Sequence, residues 1–229
     1  MLTPIKSLTL VDQANQQLLA YIDECALQAG DSLPSIAQLV DLLGASRAVV
    51  RESLRSLEAR GIIEVANGRR ARVKPVTCEP LFGFFQRFSQ VEDRAVWEFA
   101  EIRVALELQC VRLAAERGTD DQFQGLCETV KLMRRNINRP DKFAELDMQF
   151  HLQIAHATQN TMMVHLLESL RDAIRDCIRS GLHKKPSKNQ MNTVQTAHER
   201  LVDRLVARDV AGAEQALHAH FNESVMLLD

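Results

Sequence analysis

The sequence predicts a mostly α protein in two parts. A winged helix-turn-helix is expected over residues 1–76, followed by an all-helical bundle of about seven helices over 77–229. Three observations carry this expectation. Apolar residues recur at helical spacing along most of the chain. That period gives way at 62–73, where two short runs flank Asn67-Gly68, a dipeptide suited to a tight hairpin turn. Gly and Pro number only 9 and 6 in 229 residues, and Leu, Ala, Arg, Glu and Gln fill the chain, a composition that favours helices.

Within the first part, Val11, Ala14, Leu18, Tyr21/Ile22 and Cys25 predict a first helix. After the turn signals Gly30-Asp31 and Pro34, Ile36, Leu39, Val40 and Leu43 stand at i, i+3, i+4, i+7 and predict a second. Gly44 is suited to stop it, and Ser46 to cap a third helix over about 46–60 that buries Val50, Leu54 and Leu57. Residues 62–65 and 70–73 then read as two strands of a hairpin. Beyond Glu79 the expected helices are 80–90, 93–117, 119–138, 140–158, 161–182, 189–208 and 210–228. Gly118, Arg139-Pro140, Gln159-Asn160 and Lys184–Ser187 mark the breaks, with Thr119-Asp120-Asp121 and Asp209 as acidic helix starts.

Composition narrows the setting. The chain is 46% apolar and 25% charged, enough to build a core and too apolar for disorder. No apolar run approaches the ~18 residues of a membrane span, and Met1–Asp12 lacks a secretory pattern. Five scattered cysteines fit neither a disulfide framework nor a zinc knuckle, so a reducing cytoplasm and no membrane partner are expected. The net charge of −2 conceals an uneven distribution. Residues 1–46 carry one lysine against five carboxylates, whereas 47–74 carry eight basic side chains against three glutamates.

The basic stretch coincides with the third helix. Arg47, Arg51 and Arg55 lie at i, i+4, i+8 and drift through only ~80° of helix face beside the buried stripe. Arginines on the exposed face of the second helix of a helix-turn-helix are suited to the major groove, where they pair with guanine edges or hold phosphates. Arg69 and Arg70 would stand at the hairpin tip, within reach of a phosphate or the minor groove. A solvated basic face, partly neutralised by Glu52 and Glu58, is the competing reading.

The helical part places polar groups on apolar faces. Asp147 and His151 share a face with Phe143, Phe150 and Ile154. His198 joins the stripe of Leu201, Val202 and Leu205, and His220 continues that of Ala213 and Leu217. A buried carboxylate and three buried imidazoles must satisfy one another or a metal ion.

Longer motifs sharpen both readings. Asp31-Ser32-Leu33-Pro34-Ser35, Leu43-Gly44-Ala45-Ser46-Arg47, Val50-Arg51-Glu52-Ser53-Leu54 and Gly61-Ile62-Ile63 resemble the DNA-binding head of the GntR superfamily of bacterial transcription regulators. The resemblance implies DNA contacts from Ser46, Arg47, Ala48, Val49 and Arg51, and from Asn67 and Gly68 in the wing, to which its place at the hairpin tip adds Arg69. Ile36-Ala37 and Ala48-Val49 depart from the family pattern, so the operator sequence does not transfer from relatives. Glu101–Glu107, Leu113–Arg117, Phe143–His151, Ala197–Val202 and Ala213–His220 resemble the FCD ligand-binding domain of the FadR-type branch. In metal-binding members the matching positions hold one divalent ion, which implies Asp147, His151, His198 and His220 as ligands. A donor set of three imidazoles and a carboxylate without thiolate suits zinc first, with nickel, manganese and iron compatible. Arg103 matches the arginine that carboxylate effectors meet in the family; an ion pair with Glu107 is its alternative role. Arg171 and Arg175 are further candidates for facing the same cavity.

The favoured reading is a homodimeric transcription regulator, expected to be a repressor. It would bind a near-palindromic double-stranded operator and respond to a small carboxylate, a sugar acid or hydroxy acid, at the metal site. Two alternatives remain at this stage: a mononuclear metalloenzyme fused to a DNA-binding head, and a DNA-binding protein whose polar cluster is only structural. The enzyme needs a general base beside the metal, and Glu199 points about 100° away from His198 around the helix.

Overall fold

The computed structural model describes residues 8–66, 69–92, 94–175 and 187–225, and the chain separates into two compact units, Met1–Pro80 and Leu81–Asp229. In the first unit, α1 (Leu10–Glu24), α2 (Ile36–Leu43) and α3 (Arg47–Ala59) precede β1 (Ile63–Glu64) and β2 (Arg72–Val73). Thr9 caps α1 in a reciprocal box with Asp12, and Ser35 does the same for α2 with Gln38. Gly44 ends α2 in the left-handed region at φ 57°, where a side chain would be strained. Two residues later the Ser46 hydroxyl accepts from the Val49 N–H and starts α3.

Leu18, Ile22, Leu33, Leu39, Val50, Leu54, Leu57, Ile63 and Ala71 form the core of this unit. One polar link crosses it. The Ser53 hydroxyl donates to Asn15 Oδ1 at 2.6 Å, and Asn15 Nδ2 donates to Ser56 Oγ at 3.0 Å, fixing α3 against α1.

The ribbon is shorter than the expected strands of 62–65 and 70–73. Among the described residues, Ile63 pairs with Val73 and Glu64 with Arg72 in its antiparallel register, and Lys74 N–H donates to Ile62 O at 2.9 Å. The other edge of β2 is also occupied. Gly30 N–H donates to Val73 O at 2.9 Å, Val73 N–H to Asp31 O at 2.9 Å, and Leu33 N–H to Ala71 O at 2.8 Å. The turn before α2 therefore flanks the wing, a pairing that the Gly30-Asp31 turn signal did not foretell. Asn67 and Gly68 lie outside the described residues.

The second unit contains α5 (Ala95–Arg117), α6 (Asp120–Arg135), α7 (Pro140–Ala157), α8 (Thr161–Ser169), α9 (Lys188–Val206) and α10 (Val210–Val225). Before them, α4 (Glu79–Val91) carries Phe85 and Phe88, whose rings meet Phe99 edge-on. Thr119 caps α6, Pro140 opens α7, and Asp209 accepts from Gly212 N–H at the start of α10. The expected helix over 161–182 is divided. It turns at Leu170 and resumes at 171–175, and the Ser169 hydroxyl donates back to Leu166 O at 2.6 Å, competing with the helical ladder. Residues 176–182 lie outside the described region. The segment expected to reach 138 stops at Arg135, where Asn136 Nδ2 donates to Leu132 O. Helices α5, α7, α9 and α10 pack around Phe143, Phe150, Ile154, Leu201, Leu205 and Leu217. None of the described helices is long and apolar enough to cross a membrane.

Candidate metal centre and nucleic-acid interface

On the first unit, α3 turns its buried stripe inward and its charge outward. Ser46, Arg47, Ala48, Arg51 and Arg55 are exposed, and Val49 is half-buried. Arg55 Nη1 lies 4.0 Å from Glu52 Oε2, a loose surface pair. Glu58, the other carboxylate weighed against the basic face, instead accepts from Val65 N–H at 2.8 Å and secures the base of the ribbon. Arg69 and Arg70 are exposed beyond β1.

In the second unit the helical period delivers its polar groups to one place. Asp147 and His151 on α7, His198 on α9 and His220 on α10 are all buried, and one donor atom from each lies within 4.8 Å of the others. His198 Nε2 is 2.9 Å from Asp147 Oδ1, and His151 Nε2 is 3.7 Å from Asp147 Oδ2. Ligands about 2.1 Å from a shared ion stand roughly 3–4 Å apart, so the spacing fits coordination.

Hydrogen bonding supports the same fit. His198 Nδ1 sits 3.0 Å from Val194 O, an acceptor, so this nitrogen carries the proton. His151 Nδ1 meets Glu107 Oε2 in a close ion-pair contact, again an acceptor. Both Nε2 atoms then face inward with no aligned hydrogen-bond partner, as do both His220 nitrogens. Buried nitrogens in this state are suited to a cation at their meeting point.

The electrostatics follow from packing. Burial raises the Asp147 carboxyl, but the His198 ring 2.9 Å away, with His151 and Arg103, outweighs it and holds the group well below the usual carboxylate range. Burial also opposes ionisation of Glu107, where Arg103 and His151 prevail and lower it. His220 is driven well below an ordinary imidazole, first by burial and then by the neighbouring His198 and His151. Cys110 is pushed up to about 12 by burial, with Glu107 adding to it, so it offers no thiolate to the cluster.

The depressed His220 has a consequence for metal-free protein. The unfolded chain takes up a proton near 6.5 that the folded chain refuses, so stability is full above that value and falls as pH drops below it. Asp147 and Glu107, lowered in the folded state, add a further loss only below about 4. After chelation, melting temperature should be level from pH 8 to 7 and fall by pH 5, with the fall reduced in His220→Asn. A profile unchanged by that substitution would contradict the assignment.

The sequence placed Arg103 beside the cluster and offered Glu107 only as the ion-pair partner of Arg103, not as a neighbour of the imidazoles. Arg103 Nε donates to Glu107 Oε1 at 2.6 Å, its Nη2 lies 3.7 Å from Asp147 Oδ2, and its Cζ stands 5.1 Å from the centre of the Phe221 ring. The ion pair with Glu107 therefore exists, but it is buried rather than on the helix surface. Phe99, Arg103, Glu107, Cys110 and Ala114 share one buried stripe of α5, and that spacing was the available signal. Arg171 and Arg175 line two surface cavities of about 460 and 360 Å³, neither of which includes a cluster residue.

Comparison with known proteins decides the family. Residues 98–223 match the family model of the FCD domain, and residues 10–73 match that of bacterial regulatory proteins of the gntR family. The chain belongs to the GntR family, with an FCD domain. This GntR regulator is 26% identical over 226 residues to the HTH-type transcriptional repressors NanR of Enterobacter sp. (strain 638) and Escherichia coli (strain K12). The match covers 96% of this chain and 85% and 84% of those proteins. Among solved structures, Streptococcus agalactiae GntR is similar at 28% identity with a TM-score of 0.73, covering 93% of this chain and 97% of that one. E. coli McbR/YncC, at 22% identity and a TM-score of 0.53, covers 97% and 98% and shares the fold.

The GntR/FCD regulator is thus a DNA-binding transcription regulator and not an enzyme. Its site agrees. Glu199, the nearest candidate base in sequence, is engaged by Arg134 at 2.9 and 2.7 Å and by Gln195 at 3.0 Å.

Proposed function

We propose that this GntR/FCD regulator is a metal-containing repressor whose operator affinity is set by a small carboxylate. The observation that carries the reading is the meeting of Asp147, His151, His198 and His220, with the Nε2 atoms of all three imidazoles buried and lacking aligned hydrogen-bond partners. These four residues would hold one divalent ion, zinc first and nickel, manganese or iron as compatible alternatives. The ion supplies a Lewis-acidic position for an anionic oxygen. Arg103, 3.7 Å from Asp147, supplies a guanidinium beside it, and a sugar acid or hydroxy acid presents the carboxylate and hydroxyl such a pair would take.

The naming of the NanR relatives as repressors supports repression as the sign of control. A homodimer would present two heads to a near-palindromic operator, with contacts from Ser46, Arg47, Ala48, Val49, Arg51, Asn67, Gly68 and Arg69. The test joins elemental analysis with thermal shifts across a panel of organic acids. About one metal per chain, and an acid that both raises the melting temperature and changes operator affinity, are the expected results. A wild type that takes up no divalent metal would overturn the reading.

Replacing Arg47 or Arg51 by Ala should weaken operator binding without altering helix content. A lost bidentate base contact costs about 1–3 kcal/mol, or roughly 5- to 150-fold, and a lost phosphate contact lowers the salt slope by about one. Gel-shift titrations at two salt concentrations distinguish the two. Wild-type affinity and slope in both variants would remove these arginines from the interface.

A further inference from the structure

We infer that Glu107 is the positioning carboxylate of the site, setting which nitrogen His151 turns toward the metal and anchoring Arg103 with its other oxygen. The inference rests on the metal reading above and deepens it. Glu107 is only 2% exposed, and its two oxygens are divided between two partners. Oε2 meets His151 Nδ1 and Oε1 accepts from Arg103 Nε at 2.6 Å.

The chemistry of the imidazole follows from that division. Nδ1, facing a carboxylate, keeps its proton, so the lone pair lies on Nε2, the nitrogen 3.7 Å from Asp147 Oδ2. His198 reaches the same state by another route, through the backbone carbonyl of Val194. A carboxylate behind a ligating imidazole fixes the ring and raises its basicity, and loss of such a partner typically weakens metal binding 10- to 100-fold. Arg103 takes its own orientation from the same residue. The metal side and the carboxylate-binding side of the site therefore share one support on α5.

Glutamine is the discriminating substitution. It matches glutamate in size but offers one acceptor and one amide donor where both partners bring a donor. Whichever way the amide turns, either His151 Nδ1–H or Arg103 Nε–H faces N–H. Zinc affinity of the full-length protein, read by chelator competition, is expected to fall 10- to 100-fold in Glu107→Gln. In the cobalt-substituted protein the visible absorption should shift, because the His151 ring is no longer held; a role confined to stability would leave that spectrum unchanged. Wild-type zinc affinity and an unaltered cobalt spectrum in Glu107→Gln, with normal uptake by the wild type, would overturn the role of Glu107 alone.

A second measurement needs no variant, should Glu107→Gln fail to fold. Nitrogen-15 correlation spectra of the zinc-loaded wild type should report His151 coordinated through Nε2 with its proton on Nδ1. Coordination through Nδ1 would overturn the inference, and a wild type that binds no zinc would remove it together with the metal reading.

Discussion

Substituting His198 by Ala should release the metal and lower the melting temperature of the helical domain by more than about 10 °C. Two effects add. An ion bound only by the folded state at a thousand times its dissociation constant stabilises by about 4 kcal/mol, and that contribution disappears. Removing a fully buried ring also leaves a hole against Phe150, whose centroid lies 5.2 Å away, and against His220 at 4.1 Å. At ~2–4 °C per kcal/mol for a chain of this size, the first effect alone gives a shift near 10 °C. Elemental analysis after gel filtration should find about one metal per wild-type chain and far less in the variant. His218→Ala is the control. It sits on α10 two residues before His220 but is exposed, so it should keep metal and melting temperature. Equal metal content in His198→Ala and wild type would remove His198 from the coordination set.

The contrast between His198 and Glu107 shows what the sequence discloses and what it withholds. His198 and His220 follow leucines and valines at 3.6-residue spacing, so their faces are buried by the same periodicity that predicts their helices. Asp147 and His151 gain a further clue from their i, i+4 relation. On α5 the cue fails because charged residues hold the core positions. Arg103 and Glu107 are buried, whereas Ile102 is 51% exposed and Trp97 40% exposed. A pattern of apolar side chains does not mark that face, since the desolvation of Arg103 and Glu107 is repaid by their own pairing and by Asp147 and His151 on α7, and no local sequence window contains the latter two.

A similar limit applies to the wing. The change of period at 62–73 was legible, but the edge of β2 is completed by residues 30–33, some forty positions earlier. Backbone pairing at that distance leaves no side-chain periodicity to read. Helix starts were legible for the opposite reason. Ser46, Thr119 and Asp209 make their capping hydrogen bonds within three residues.

Burial of Arg103 also changes the experiment that tests sensing. Its removal strands two carboxylates, Glu107 at 2.6 Å and Asp147 at 3.7 Å, and breaking a buried pair in this way costs about 3–5 kcal/mol. Arg103→Ala is therefore expected to melt far below wild type, and a lost response in that variant would say nothing about ligand recognition. Arg103→Lys is the informative change. An ammonium keeps the positive charge near Glu107 but lacks the planar fork that grips a carboxylate with two hydrogen bonds. If Arg103 binds the effector, the lysine variant should keep its metal and its operator affinity in the absence of ligand. Its affinity for the organic acid that most stabilises the wild type should fall by about 2–3 kcal/mol, or roughly 30- to 150-fold. Linkage fixes the companion result. A ligand that no longer binds shifts no population, so at acid concentrations that saturate the wild type the variant must retain its ligand-free operator affinity. Isothermal titration with the acid, beside operator titrations with and without it, measures both quantities. A wild-type response in Arg103→Lys would confine this residue to neutralising Glu107 and Asp147, and the carboxylate would have to be held by other groups.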